Sequence, residues 1–143
     1  MSLLTPMLRS SPLTDWFSDA QRVQGMLDFE AALAQAQAAC GMVPPEAVGP
    51  IVAACRHEAI DFAALGEAAV GAGNLAIPLV KQLTAQVKAQ DPEAARYVHW
   101  GATSQDAIDT GLVLQLRGAL DAAETLLEQL LAALALQADR YRD

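Results

Sequence analysis

His99, Thr103, Ser104 and Gln105 are the residues of this chain whose types and spacing could do chemistry together. They stand in the stretch His99-Trp100-Gly101-Ala102-Thr103-Ser104-Gln105-Asp106-Ala107-Ile108-Asp109-Thr110-Gly111, an imidazole just ahead of two hydroxyls and a primary amide. Thr103 followed three places on by Asp106 has the form of a capping box, which predicts a helix starting at about Ser104. The first turn of such a helix presents unpaired backbone N–H groups and the positive end of the helix dipole, a ready seat for an anion. The chemistry expected is capture of a carboxylate or phosphate beside a group that titrates near neutrality.

Within that stretch the roles divide. The Thr103 hydroxyl is expected to cap the helix, and Asp106 to serve the same cap, since a carboxylate facing an anionic ligand would repel it. Ser104 and Gln105 are not needed for capping and are the stronger binding candidates. A loop histidine is usually structural, but the position of His99 ahead of an anion-binding helix start favours function. His57, near the expected end of a helix and beside Glu58, is read as a surface residue satisfying the helix dipole.

The elements that must position these groups are helical throughout. Ser18 and Gln21 form a capping box ahead of Val23, Met26, Leu27, Glu30, Ala31, Leu33 and Ala34, which predicts a helix from about Asp19 to Ala39, stopped at Gly41. Its Met and Phe residues are read as core. Before it, Pro6, Ser10, Ser11 and Pro12 mark an irregular lead-in to about Leu13. Pro44 and Pro45 open a shorter helix to about Arg56. Asp61 caps a third, with Phe62, Leu65, Ala69 and Val70 on one side, ending near Gly71-Ala72-Gly73. Asn74 reads as a left-handed turn residue, Pro78 suits the first turn of a helix to about Ala89, and Asp91-Pro92 caps a one- or two-turn helix through Arg96.

From Ser104 onward there is no proline, and Val113, Leu116, Leu120, Ala123, Leu127, Leu130 and Leu134 alternate in threes and fours, the seam of a helical bundle. Unbroken, that helix is about 60 Å long. Gly111 and Gly118 each cost it roughly 1 kcal/mol relative to Ala, so each is expected to allow close packing or a bend. Leu112, Leu114, Leu126 and Leu131 lie outside the seam, and the shorter helices before it cannot cover such a rod. Its partners are expected from other copies or from further sequence, and an ending at Tyr141-Arg142-Asp143 without a helix stop signal predicts an N-terminal piece of a longer protein.

At 143 residues the chain is long enough for a sizeable core, and 53% hydrophobic with 5% aromatic residues favours helices over a β-sandwich. A net charge of −8 argues against a nucleic-acid or anionic-membrane surface, so an anionic ligand must be held by local donors. No run has the length of a membrane span and the N-terminus lacks the layout of a signal peptide, which predicts a cytoplasmic protein. Cys40 and Cys55 have no metal or redox spacing and are expected to be reduced, buried thiols.

The stretch from His99 to Gly111 resembles the first of three signature regions of the fumarase/aspartase superfamily of lyases and cycloisomerases. Met26-Leu27-Asp28-Phe29-Glu30-Ala31-Ala32-Leu33, Gly73-Asn74-Leu75-Ala76-Ile77-Pro78-Leu79-Val80 and Ala94-Ala95-Arg96-Tyr97-Val98-His99 agree with it in order and spacing. The resemblance implies an all-α fold, with an N-terminal helical domain over residues 1–102 and, from 103 to 143, the first long helix of a bundle built by four subunits. It implies a cofactor-independent and metal-free reaction at the carbon β to a carboxylate, with Thr103, Ser104 and Gln105 holding a substrate carboxylate. His99 would assist binding or orient a proton-transfer histidine from another subunit, and Asn74 would offer a substrate-facing amide, a reading as open as the turn. The general acid/base histidine and a catalytic serine would lie beyond Asp143, leaving this chain inactive alone. Within the family the Gly73–Val80 block favours the lactone-forming branch that acts on a carboxylated muconate over lyases that release fumarate. Trp100 departs from the smaller residue expected at its position. Outside the family, a non-catalytic helical interaction module remains the other reading.

Overall fold

The computed structural model of the chain describes residues 11–142, so most of the lead-in expected before Leu13, including Pro6 and Ser10, lies outside the described residues. Among those residues the regular structure is helical, with no strand. The first turn, a 3₁₀ segment at Thr14–Phe17, was not signalled by the sequence.

Helix α1 spans Asp19–Ala39, the bounds its caps predict. The Ser18 hydroxyl oxygen accepts the Gln21 N–H at 3.3 Å. At the other end Gly41 turns left-handed at φ 71°, and the Met42 N–H reaches back to the Gln37 carbonyl at 2.8 Å, so the last carbonyls are satisfied as the chain leaves. Helix α2 spans Pro45–Ala54 and α3 spans Phe62–Ala72, the latter capped by Asp61, whose carboxylate accepts the Ala64 N–H at 3.0 Å. Helix α4 spans Ala76–Gln90. The expected short helix after Asp91-Pro92 is a 3₁₀ turn, Ala94–Tyr97, with the Asp91 carboxylate accepting the N–H groups of Glu93 and Ala94 at 3.0 Å.

Helix α5 spans Ser104–Arg140, 37 residues and about 55 Å at 1.5 Å per residue. Its own-chain face is not the leucine seam. Ala107, Gly111, Gln115 and Ala119, one per turn, are the buried positions. At the crossing with α1 two glycines face each other: a Cβ on Gly25 would stand 2.8 Å from the Gly111 carbonyl oxygen, and one on Gly111 would stand 3.0 Å from the Met26 nitrogen. Gly118 likewise makes room for the Trp16 ring. Both glycines on α5 therefore serve close packing. The core lies beside this crossing, where Leu27, Ile51, Leu79, Leu83 and Val87 of α1, α2 and α4 are sealed from solvent. On the other side of the rod Val113, Leu120, Leu127, Leu130 and Leu134 are more than half exposed, so the helices of this chain leave the seam uncovered, as expected.

Four sequence expectations are corrected. Cys40 is exposed, because α1 has ended there; only Cys55 is buried, and both are free thiols. Val70 is 87% exposed, since α3 buries Leu65 alone. Asn74 is not left-handed: Gly73 takes the positive φ (74°), and His99 is the one non-glycine residue with φ above zero (56°) among those described. His57 sits in a 3₁₀ turn at His57–Ala59 rather than at a helix end, and its backbone N–H and Nδ1 both meet Gln24 Oε1, at 2.9 and 3.1 Å.

Candidate functional site

The start of α5 is built as the sequence predicts. Thr103 is extended (φ −115°, ψ 159°) and forms a capping box with Asp106. The Asp106 carboxylate accepts the Thr103 N–H at 2.9 Å, and the Thr103 carbonyl accepts the Asp106 N–H at 3.0 Å. Asp106 is thereby spent on the cap. The N–H groups of Ser104 and Gln105 have no acceptor among the described residues, which leaves the positive end of a long helix open to an anion.

Ser104 and Gln105 diverge around the helix by about 100°. Ser104 is half-buried and shares its face with Ile108, Leu112 and Gln115, on the side that packs against α1. Gln105 is exposed, points with Asp109 toward the uncovered leucine seam, and donates one amide hydrogen to Asp109 Oδ1 at 2.5 Å. One candidate donor therefore faces this chain and the other faces whatever covers the seam.

His99 is held from the opposite side. Its Nδ1 lies 2.6 Å from Oε1 of Glu30, with the His99 side chain 16% and the Glu30 side chain 1% exposed. Burial pushes the Glu30 carboxyl above the usual carboxylate range, and the charge and hydrogen bond of His99 pull it back only in part. An Nδ1–H donated to that carboxylate leaves Nε2 as the ring atom free for other work. Two turns further along α1, Gln37 Nε2 donates to the Trp100 carbonyl at 2.6 Å. The left-handed His99 and Gly101 (φ 70°) thus bracket a turn that two buried α1 side chains hold in place. Such a conformation costs a non-glycine residue of order 1 kcal/mol or more, so it must be imposed by its surroundings. Glu30 Oε2 and Gln37 Oε1 remain buried without a partner among the described residues. Trp100 is half-exposed and leans on Tyr97, ring centroids 5.7 Å apart at 55°.

Asn74 lies elsewhere. Its Oδ1 accepts the Ile77 N–H at 3.1 Å, holding the start of α4. It borders a groove of about 290 Å³ with Arg22 and Met26 of α1, Leu75, and Ile108, Leu112 and Gln115 of α5. The structure thus brings Asn74 to the second and third turns of α5 rather than to Ser104 or Gln105. Sequence reasoning missed the contact of Gln37 with Trp100, the pairing of Glu30 with His99 and the place of Arg22 in the groove. For Glu30 a signal was present: an acidic residue at an apolar-periodic position is buried only if something pairs with it.

Among the described residues no cluster of His, Cys, Asp or Glu could hold a metal ion, and no helix is long and apolar enough to cross a membrane. Burial, with the Glu30 and Asp28 carboxylates adding to it, pushes the Cys55 thiol up to about 12, so it stays protonated and is no nucleophile.

Comparison with known proteins gives concordant matches. A family described as lyase matches residues 8–143. The chain is 55% identical over 141 residues to a 3-carboxy-cis,cis-muconate cycloisomerase of Bradyrhizobium diazoefficiens, covering 99% of this chain and 31% of that protein. It is 60% identical over 134 residues to the enzyme of the same name from Pseudomonas aeruginosa, covering 94% and 29%. The crystal structure of 3-carboxy-cis,cis-muconate lactonizing enzyme from Pseudomonas putida superposes with a TM-score of 0.92 at 54% identity, covering 96% of this chain and 32% of that one. The chain spans less than a third of the length of each.

Proposed function

The chain belongs to the lyase family, within the fumarase/aspartase superfamily, and on that premise we propose that it is the substrate-carboxylate-binding portion of a 3-carboxy-cis,cis-muconate cycloisomerase. The observation that carries this reading is the 55% identity to a cycloisomerase across nearly the whole chain, together with an open helix start where the substrate carboxylate would sit.

Lactonisation of a muconate is an isomerisation. A carboxylate oxygen adds to one carbon of a double bond, the π bond breaks, and a proton arrives at the neighbouring carbon, which lies α to another carboxylate. Nothing is oxidised and no group leaves, so no cofactor is required. The difficulty is the negative charge that gathers on the carboxylate beside the carbanion-like carbon. Fixed donors aimed at that charge are worth on the order of 3 kcal/mol each. Here they are the Ser104 hydroxyl, the free N–H groups of Ser104 and Gln105, and the dipole of α5. Thr103 sets the cap that keeps them open, and the Gln105 amide joins them from the seam side. His99, with Nδ1 held by Glu30, offers Nε2 to the substrate or to a proton-transfer histidine from another subunit. That histidine and the family's loop serine would come from sequence outside this chain.

The same reading divides the chain into a helical domain at residues 1–102 and a bundle helix from 103 onward, in a cytoplasmic homotetramer. The uncovered leucine seam supports the assembly. The test is assay of the full-length protein on 3-carboxy-cis,cis-muconate and on adenylosuccinate. Lactone formation is expected; release of fumarate without lactone would replace this substrate with another of the superfamily.

A further inference from the structure

The proposed substrate carries more than one carboxylate, and the helix start accounts for one of them. Arg22 supplies the argument for another. Its guanidinium has no hydrogen-bond or ion-pair partner among the described residues, although the chain carries 17 acidic residues against nine basic ones. It lines the groove between α1, the start of α4 and α5, whose lining contains no acidic side chain. Across that groove the Asn74 amide has a determined orientation: its oxygen is committed to the Ile77 N–H at 3.1 Å, so the NH2 end is the one left to donate. Met26, Leu75, Ile108 and Leu112 make most of the remaining wall apolar, and Gln115, whose Nε2 donates to the Trp16 carbonyl at 2.8 Å, completes it. A cation and an amide donor over a hydrocarbon floor suit a carboxylate attached to an apolar chain. Ile108 lies one turn, about 6 Å, along α5 from Ser104, a distance that the carbon chain of a muconate spans.

We propose that this groove is a second carboxylate subsite, in which Arg22 and the Asn74 amide hold the end of the substrate remote from Ser104. The proposal deepens the cycloisomerase reading and rests on its substrate class, a small unsaturated polycarboxylate. Arg22 acts there as a binding and specificity residue, rewarding substrates that carry a carboxylate at both ends.

The test compares two probes that share the cis,cis diene and differ at one end: cis,cis-muconate and (2Z,4Z)-hexa-2,4-dienoate, in which a methyl group replaces one carboxylate. Dissociation or inhibition constants are measured on the full-length protein and on its Arg22→Gln and Arg22→Lys variants. Wild type is expected to prefer muconate by at least ~10-fold, Arg22→Gln to lose that preference, and Arg22→Lys to regain part of it. With 3-carboxy-cis,cis-muconate as substrate, Arg22→Gln is expected to raise KM at least ~10-fold with kcat within about twofold. Arg22 is exposed, and unchanged circular dichroism of the variants controls for folding. A preference that survives in Arg22→Gln, or absence of binding by both probes at millimolar concentration, overturns the subsite. Wild type that fails to lactonise yet shows an Arg22-dependent muconate preference retires the cycloisomerase reading and leaves the subsite standing.

Discussion

Glu30 and His99, 69 residues apart in sequence, meet at 2.6 Å between Oε1 and Nδ1. The Glu30 carboxylate is buried and its second oxygen has no partner among the described residues, while His99 takes a left-handed backbone at φ 56°. A buried carboxylate on an imidazole fixes both ring orientation and tautomer. The arrangement turns a loop histidine into an aimed one, and it has a consequence for stability.

Burial raises the Glu30 pKa above its ordinary value of 4.5. The folded state therefore binds this proton more tightly than the unfolded state, and Glu30 favours folding most below about pH 4.5, losing that contribution as pH rises through its raised folded value. Glu30→Gln cannot titrate, and its amide oxygen can still accept the Nδ1–H. Thermal melts from about pH 4 to about pH 7 should show the variant gaining on wild type as pH rises. A constant gap between the two curves would mean that Glu30 does not titrate in that range.

Two chemically identical glycine changes, one at the α1–α5 crossing and one in α3, are expected to have opposite signs. Gly111→Ala adds helix propensity worth about 0.5–1 kcal/mol, but its methyl would meet the Met26 nitrogen at 3.0 Å and the Gly25 carbonyl carbon at 3.1 Å. Those neighbours are backbone and cannot move aside, so overpacking of about 1–3 kcal/mol should win. Gly66 in α3 has nothing within 4 Å of its would-be Cβ, and Gly66→Ala should stabilise by about 0.5–1 kcal/mol. Urea midpoints decide it: both variants moving in the same direction would contradict the close crossing of α1 and α5.

Ser104 is free of the cap, so its hydroxyl can be removed at little cost to folding. Ser104→Ala in the full-length protein should lower kcat about 10²-fold or more with an unchanged melting temperature. His99→Ala should also lower kcat, with some loss of stability because Glu30 is left buried and unpaired. Full activity and normal melting in both would make the His99–Gln105 stretch a structural cap.

The leucine seam predicts self-association. Leu127 and Leu134 are 59% and 56% exposed, and a rod apolar on an uncovered face gathers partners. Sedimentation of the chain should reveal oligomers, and Leu127→Glu with Leu134→Glu should return monomers that keep their helical circular dichroism. A wild-type chain that sediments as a clean monomer would sink the bundle argument.

Helix positions were legible in the amino-acid sequence because the signals are local. Ser18 with Gln21, Asp61, Gly41 and the Thr103–Asp106 box each act within one turn, and α1 and α5 begin where those residues say. The anion-ready start of α5 was readable for the same reason. Tertiary structure alone decided which face of α5 meets its own chain. Periodicity points to the large apolar side chains, yet the closest contact goes to Ala107, Gly111 and Ala119, because small residues let backbones approach and leave the leucines facing outward. Glu30 beneath His99, and Arg22 across a groove from Asn74, were equally out of reach. A charge on a helix carries no record of what another helix will bring to it; that depends on where the helices dock, which is a property of the packed core.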